Sequence, residues 1–201
     1  MAVLPMFPLG TVLLPYMPFR LRVFEERYLI MLSNLLEAEE VHFGVVLIER
    51  GHEVGGGEQR FRIGTIAEVQ RITAGEGFLD VTARGTERIE VVEWLEDPPH
   101  PRAEVGVLSE LVWDASLKTL RDRADGLVRR TLAIASEFAD DVWPADIELS
   151  DDPVEACWQL AGIAPVTSLD QLSLLSCDSV HDLLAKLIKL TEAAATSRYA
   201  P

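Results

Sequence analysis

Over the first 114 residues the apolar positions come in short runs broken by proline and glycine; beyond them they fall into long helical stripes. Phe61, Ile63, Thr65, Ala67 and Val69 alternate with mainly polar neighbours, as do Leu79, Val81 and Ala83 between Asp80, Thr82 and Arg84. Such alternation puts one face in a core and the other in water, so both stretches predict half-buried strands. The continuous run Val45-Val46-Leu47-Ile48 predicts a fully buried strand. Residues 3–6 and 21–24 are apolar too, but Pro5, Pro8, Pro15 and Pro18 flank or interrupt them. Proline has no N–H to give a ladder, which predicts edge or bulged strands there. Gly85 followed by Ile89, Val91 and Val92 continues the meander, and a last strand is expected near residues 103–111. Residues 51–58, with Gly55-Gly56-Gly57, predict a flexible loop, and Asp97-Pro98-Pro99-His100-Pro101 a rigid connector.

One helix interrupts the strands. Phe24, Tyr28, Leu32, Leu35 and Leu36 recur at helical spacing and predict an amphipathic helix over 25–38. In the second half, Leu117, Leu120, Ala124, Leu127, Val128, Ala135 and Phe138 form one stripe over 115–139. Asp152-Pro153 places a capping carboxylate before a proline at the first helical position, starting a helix toward Leu160. Thr167-Ser168-Leu169-Asp170 and Ser179-Val180-His181-Asp182 both fit a capping box. After the second, Val180, Leu183, Leu184, Leu187 and Ile188 predict a core-facing stripe. The chain thus reads as α+β: a β-rich part over 1–114 with one helix, then a helical bundle over 115–201. Its strands suggest a strongly bent antiparallel sheet or a partly closed barrel.

Composition narrows the function classes. With 48% hydrophobic and 25% charged residues over 201 positions, the chain can bury a core without staples and is too apolar to be disordered. No apolar run reaches the ~18 residues of a membrane span, and the start lacks a cationic signal region, so a cytoplasmic protein is expected. The net charge of −15 is spread along the chain: residues 1–115 carry 10 Arg against 19 Asp and Glu. Such a field repels phosphate backbones and anionic lipid, which argues against nucleic acid and membrane as partners.

Candidate chemistry is sparse. There is no Gly-Lys pair for a phosphate loop. His42, His52, His100 and His181 are scattered, and Cys157 and Cys177 make no metal pattern; two buried, reduced thiols are expected. No G-x-S-x-G elbow occurs, and Lys118, Lys186 and Lys189, the only lysines, fall on ordinary helix faces. No catalytic residue, cofactor or metal is therefore assigned.

The ordered string Leu4-Pro5-Met6-Phe7-Pro8-Leu9, then Val12-Leu13-Leu14-Pro15, then Leu21-Arg22-Val23-Phe24-Glu25-Glu26-Arg27-Tyr28 resembles the opening of the N-terminal substrate-binding domain of Lon proteases. Phe43-Gly44-Val45-Val46, Gly51-x-Glu53-Val54-Gly55, Val69, Gly85 and Arg88 look like the rest of that family's β-half. Gln171-Leu172 and Leu174-Leu175, with the Leu183/Leu184/Leu187 helix, are similar to its closing bundle. The resemblance is strong over 4–92, with its specific signal in the first 28 residues, and weak over 115–195. Tyr16 departs from it where Gly is common, Arg20 where Pro is common, and Glu26 where Pro often precedes the Arg.

This resemblance implies a PUA-like pseudo-barrel followed by a helical bundle, a fold also seen in the Lon-like domain of cereblon. It implies a stand-alone, non-catalytic recognition module, an adaptor or substrate receptor, because the Lon ATPase and Ser-Lys peptidase domains have no room here. The partners expected are unfolded or partner proteins and peptides, with the chain itself a monomer or weak homodimer. Tyr16, Met17 and Phe19, bulky side chains in a proline-fixed loop, are the expected contacts, with a groove between sheet and bundle as the other candidate. Phe24 with Tyr28 is expected to anchor the helix, Glu25 to complement its dipole, and Arg27 to pair with a carboxylate or cap strand carbonyls. Two other readings are an RNA-binding pseudo-barrel, which the acidic balance opposes, and a hydrolase with an unrecognised site.

Overall fold

The computed structural model describes residues 1–38, 41–50, 59–96, 99–139 and 142–198. Backbone contacts divide the chain into two compact units, Met1–Ser109 and Glu110–Pro201. The expected loop at 51–58, and the Asp97-Pro98 part of the connector, lie outside the described residues.

The first unit runs β1 (Ala2–Leu9), β2 (Pro18–Val23), α1 (Glu26–Glu37), β3 (His42–Arg50), β4 (Gln59–Ala74), β5 (Leu79–Trp94) and β6 (Arg102–Val107). The strands are ordered β2-β5-β4-β3-β1-β6, and β6 also pairs with β5. Pairing therefore returns on itself through β5, β4, β3, β1 and β6. Leu4, Met6, Val46, Ile66, Ile89, Val91, Ala103 and Val105, drawn from all five of these strands, form one buried cluster. The length of β5 makes the circuit possible. Its first residues, 79–84, pair with β2, and its later ones, 89–94, pair with β6. Gly85 is expected to punctuate two short strands, but the strand runs straight through it.

Two expectations need correction. The sheet is mixed rather than antiparallel, because β1 and β3 pair in parallel, Met6 opposite Gly44 through Leu9 opposite Leu47. The intervening β2 and α1 give the chain the crossover length that a parallel pair requires. Nor do the prolines put β1 at an edge: residues 2–5 pair with β6 and residues 6–9 with β3. Met6 donates its N–H to the Pro101 carbonyl at 2.9 Å, on the β6 side. By alternation the Pro8 nitrogen faces the same way, past the end of the β6 pairing. The Pro5 nitrogen faces β3 before that pairing begins. Each missing donor falls where no partner waits.

In α1 the buried residues are Tyr28, Met31 and Leu32, while Leu36 is exposed, so the core stripe is shifted from the expected one. The Tyr28 ring stacks on Phe7 at 3.9 Å. Phe24 is 58% exposed and does not share in anchoring the helix. It precedes the N-cap residue, Glu25, and so escapes the helical period that its spacing suggests.

The second unit opens with a 3₁₀ turn, Ala115–Leu117, followed by α2 (Lys118–Ala135), α3 (Pro153–Ile163), α4 (Ser168–Leu175) and α5 (Val180–Arg198). The caps form as their sequences predict. Asp152 accepts from the N–H groups of Val154 and Glu155, and Thr167 and Asp170 make a reciprocal box. Asp182 N–H donates to Ser179 Oγ at 3.1 Å. Val180, Leu183, Leu184, Leu187 and Ile188 are all buried. α2 stops at Ala135, so Phe138, 66% exposed, falls off the expected stripe.

Candidate functional site

The loop between β1 and β2 is fixed by its backbone. Thr65 Oγ1 donates to the Leu13 carbonyl at 2.6 Å, and Tyr16 N–H donates to the Gly85 carbonyl at 2.8 Å. Gly85 N–H returns a bond to the Met17 carbonyl at 3.0 Å, and Met17 N–H reaches the Leu14 carbonyl at 3.3 Å. Leu13 and Leu14 are buried beneath it. Only glycine suits position 85, because a Cβ there would overlap the Leu14 carbonyl. Two-way bonding to a core strand holds this loop rigidly on the sheet.

Tyr16 sits at its tip with φ 63°, the one positive φ outside glycine among the described residues. An L side chain in that region costs about 1–2 kcal/mol. The Arg84 guanidinium lies 5.5 Å from the centre of its ring, a cation–π contact.

The three expected contact residues do not share one surface. Met17 is buried, at 7% exposure, and serves as the loop's anchor. Phe19 belongs to β2, opposite Ala83, whose side chain is fully buried. Strand alternation therefore turns Phe19, half-buried, toward the same side as Leu21 and Val23. Tyr16 lies on the other side, with Arg84. Adjacency in sequence suggests one patch; the start of a strand at Pro18 splits it.

The outward side of β2, β5 and β4 carries the polar half of the alternation. Asp80, Thr82 and Arg84 emerge from β5 between the buried Val81 and Ala83. Register places Arg22 opposite Asp80 and Arg20 opposite Thr82 on one flank. On the other flank Thr73 lies opposite Asp80 and Arg71 opposite Thr82. Arg22 Nε meets Asp80 Oδ1 at 3.0 Å, and its guanidinium covers the Phe78 ring at 4.2 Å. The hydrogen bond to Asp80 raises the Arg22 pKa further above its ordinary value. Arg20 and Arg71 are absent from the expected contacts. The Arg20/Arg22 alternation was readable, but Arg71 joins the row only through an irregularity in pairing between Val69 and Arg71, which no sequence period shows.

Other residues singled out in the sequence have structural places. Arg27 Nε pairs with Glu25 Oε2 at 3.1 Å, and its guanidinium covers Tyr28 at 4.5 Å. Arg88 is buried, donates to the Ser109 carbonyl at 2.6 Å and receives the Leu108 N–H at its own carbonyl. Cys157 and Cys177 are buried free thiols, and burial pushes Cys157 up to about 11, away from nucleophilic use. Among the described residues no three His, Cys, Asp or Glu side chains converge as metal ligands. No described helix is long and apolar enough to cross a membrane.

The pinned proline loop, the circuit of strands and the following helices together invite comparison with known proteins. A family model described as the ATP-dependent protease La (LON) substrate-binding domain matches residues 3–193. The chain belongs to this family. Among solved structures it is similar to a Lon N-terminal domain protein from Xanthomonas campestris, with 27% identity and a TM-score of 0.67 over 94% of this chain and 98% of that one. The N-terminal domain of a Mycobacterium avium complex Lon protease shares the fold, with a TM-score of 0.67 at 19% identity over 95% and 98% of the two chains. Lon protease 2 of Herpetosiphon aurantiacus is 25% identical over 191 residues, 92% of this chain but 23% of that protein. The chain thus spans about a quarter of the length of this curated relative. Within the Lon substrate-binding fold, the string from Leu4 to Tyr28 supplies β1, the pinned loop, β2 and the start of α1. Gly85 and Arg88, part of the same resemblance, hold the loop and the end of the first unit.

Proposed function

We propose that this chain is a non-catalytic module that recognises proteins or peptides, acting as a substrate receptor or adaptor. The family match over residues 3–193 carries the reading. In this reading the closed strand circuit is a PUA-like pseudo-barrel, and its rigid loop presents Tyr16 while Met17 anchors it. Phe19 offers a second, half-buried apolar contact on the other side of β2. Retaining a tyrosine at φ 63° supports a role for its ring, since backbone strain persists where surrounding structure and function demand it.

The test is binding of fluorescently labelled, reduced and alkylated unfolded proteins, followed by anisotropy. Saturable binding is expected, weakened by Tyr16→Ala and Phe19→Ala while circular dichroism stays unchanged. Absence of binding by the wild-type chain to a panel of unfolded proteins and short peptides would overturn the recognition reading. In parallel, casein incubated with the protein and ATP is expected to remain intact. ATP-dependent cleavage that survives repurification and vanishes with a single Ser or His substitution would overturn the non-catalytic half.

A further inference from the structure

The outward side of β2, β5 and β4 is built of three cross-strand rows. Register sets Pro18, Arg84 and Glu68 in the first, Arg20, Thr82 and Arg71 in the second, and Arg22, Asp80 and Thr73 in the third. The first and third rows each give their arginine an acid: Glu68 lies opposite Arg84, and Asp80 Oδ1 meets Arg22 Nε at 3.0 Å. The middle row holds two arginines and no acid, although the chain has 33 Asp and Glu against 18 Lys and Arg. Arg20 and Arg71 are exposed, and no described residue gives either an ion pair or hydrogen bond. Both line a concavity of about 740 Å³ with Arg22, Thr73, Asp80 and Thr82. Charges on strand edges often serve only to discourage pairing, a purpose that either sign fulfils. Here an acid-rich chain places arginine on both flanks of β5, in one row and on one face.

The geometry of the middle row selects the ligand. Neighbouring strands lie about 4.8 Å apart, so the backbones bearing the two arginines are about 10 Å apart, with the Thr82 hydroxyl between them. An extended arginine side chain spans more than half that gap, so both guanidiniums can close over Thr82 on a single anion. That anion has to satisfy two positive charges, two forked donors and one hydroxyl. A carboxylate brings one charge and two oxygens, which one guanidinium already takes up bidentately. A phosphodiester also brings one charge, and its neighbours along a nucleic acid would run out over the acidic remainder of the surface. A phosphate monoester carries about −1.5 to −2 at pH 7 and three strong acceptor oxygens, which matches the row in both charge and donors. Screening beyond about 8 Å at physiological ionic strength leaves so small a ligand governed by the row beneath it, not by the chain's net charge.

We propose that Arg20, Arg71 and Thr82 form a binding site for a terminal phosphoryl group, carried by free phosphate, a small phosphomonoester or a phosphorylated protein segment. The site can fail while binding of unfolded proteins stands, and the reverse. It is tested on the full chain by following amide chemical shifts in NMR at constant ionic strength. The additions are inorganic phosphate, acetate, and a phosphoserine peptide with its Ser and Glu counterparts. Phosphate is expected to give saturable shifts around Arg20, Arg71 and Thr82, with an affinity about tenfold above that of acetate. Arg20→Gln and Arg71→Gln are each expected to weaken phosphate about tenfold, and Thr82→Val about threefold, at unchanged melting temperature. Arg71→Glu keeps a charge on the strand and is expected to abolish binding. The phosphoserine peptide is expected to exceed its Ser and Glu counterparts at the same residues. If it also binds more tightly than inorganic phosphate, the ligand is a phosphorylated protein segment; if it does not, the ligand is the free anion or a small phosphomonoester. Shifts that never saturate, that centre elsewhere, or that survive both Arg→Gln substitutions would overturn the site, and so would acetate that binds as tightly as phosphate.

Discussion

Tyr16 holds φ 63° at the tip of a loop bonded to Gly85, and substitution there by alanine and by glycine separates backbone strain from side-chain contacts. Both changes remove the ring and its contact with Arg84, worth about 0.5–1 kcal/mol at an exposed site. They differ in the backbone. At an unstrained position alanine is favoured over glycine by about 0.4–1 kcal/mol, because glycine leaves the unfolded chain more freedom to lose. At a left-handed φ the L residue costs about 1–2 kcal/mol, which glycine avoids. The second effect is the larger, so the usual order inverts. Tyr16→Gly is expected to be more stable than Tyr16→Ala by about 1 kcal/mol, or about 4–8 °C in the melting temperature of a unit near 100 residues. Differential scanning calorimetry measures the difference, and hydrogen exchange at the Tyr16 amide localises it. Alanine equal to or better than glycine would refute the strain argument, and with it the claim that the tyrosine is held against its backbone preference.

Three further expectations follow from packing and burial. Gly85→Ala forces the new Cβ into the Leu14 carbonyl, and is expected to destabilise by about 2–4 kcal/mol through overpacking and loss of the two loop bonds, read as a lower urea midpoint; Gly106→Ala, where a Cβ meets nothing within 4 Å, is the control and is expected to be neutral or slightly stabilising. Cys157 ionises near 9.0 unfolded and at about 11 folded, so the unfolded state loses its proton first as pH rises. Its contribution is complete below pH 9 and disappears as pH climbs through about 11; Cys157→Ala should flatten the fall of unfolding free energy there by about 1.4 kcal/mol per pH unit, and an unchanged slope would show the thiol to be solvated. Thr191 Oγ1 is buried with no hydrogen-bond partner among the described residues, so Thr191→Val is expected to raise stability by about 1 kcal/mol in thermal melts, whereas a loss would reveal a partner for the hydroxyl.

The helix starts and the core stripe of the last helix were legible in the second unit's sequence, the helix ends less so. The legible signals are local: a carboxylate before Pro153, two capping boxes, and a stripe at helical spacing from Val180 to Ile188 that the structure buries throughout. The limits appear where a helix ends without a cap residue to announce it, as α2 does before Phe138. The existence of the strands was legible as well, since period-two alternation marks Ile63 to Val69 and Leu79 to Ala83 wherever they pair.

What the sequence by itself determined, then, was which segments are helix or strand, the buried stripe of α5 and the inward face of residues 79–83, and the family string from Leu4 to Tyr28. The stripe of α1 shifted, and residues 64–67 of β4, expected to be half-buried, are buried on both faces. Pairing and register came only from the tertiary structure, because each strand's hydrogen bonds are satisfied by residues far along the chain. That is why the proline-bearing β1 lies between two neighbours, why β1 and β3 run parallel, and why β5 serves β2 with one end and β6 with the other. The same holds for the surface. Sequence placed Tyr16, Met17 and Phe19 side by side; the fold buried one, turned another to the opposite side of β2, and left Tyr16 beside Arg84. It then brought Arg20 and Arg71, distant in the chain, to either side of Thr82, because alternation fixes the face of a residue but only register fixes its neighbour.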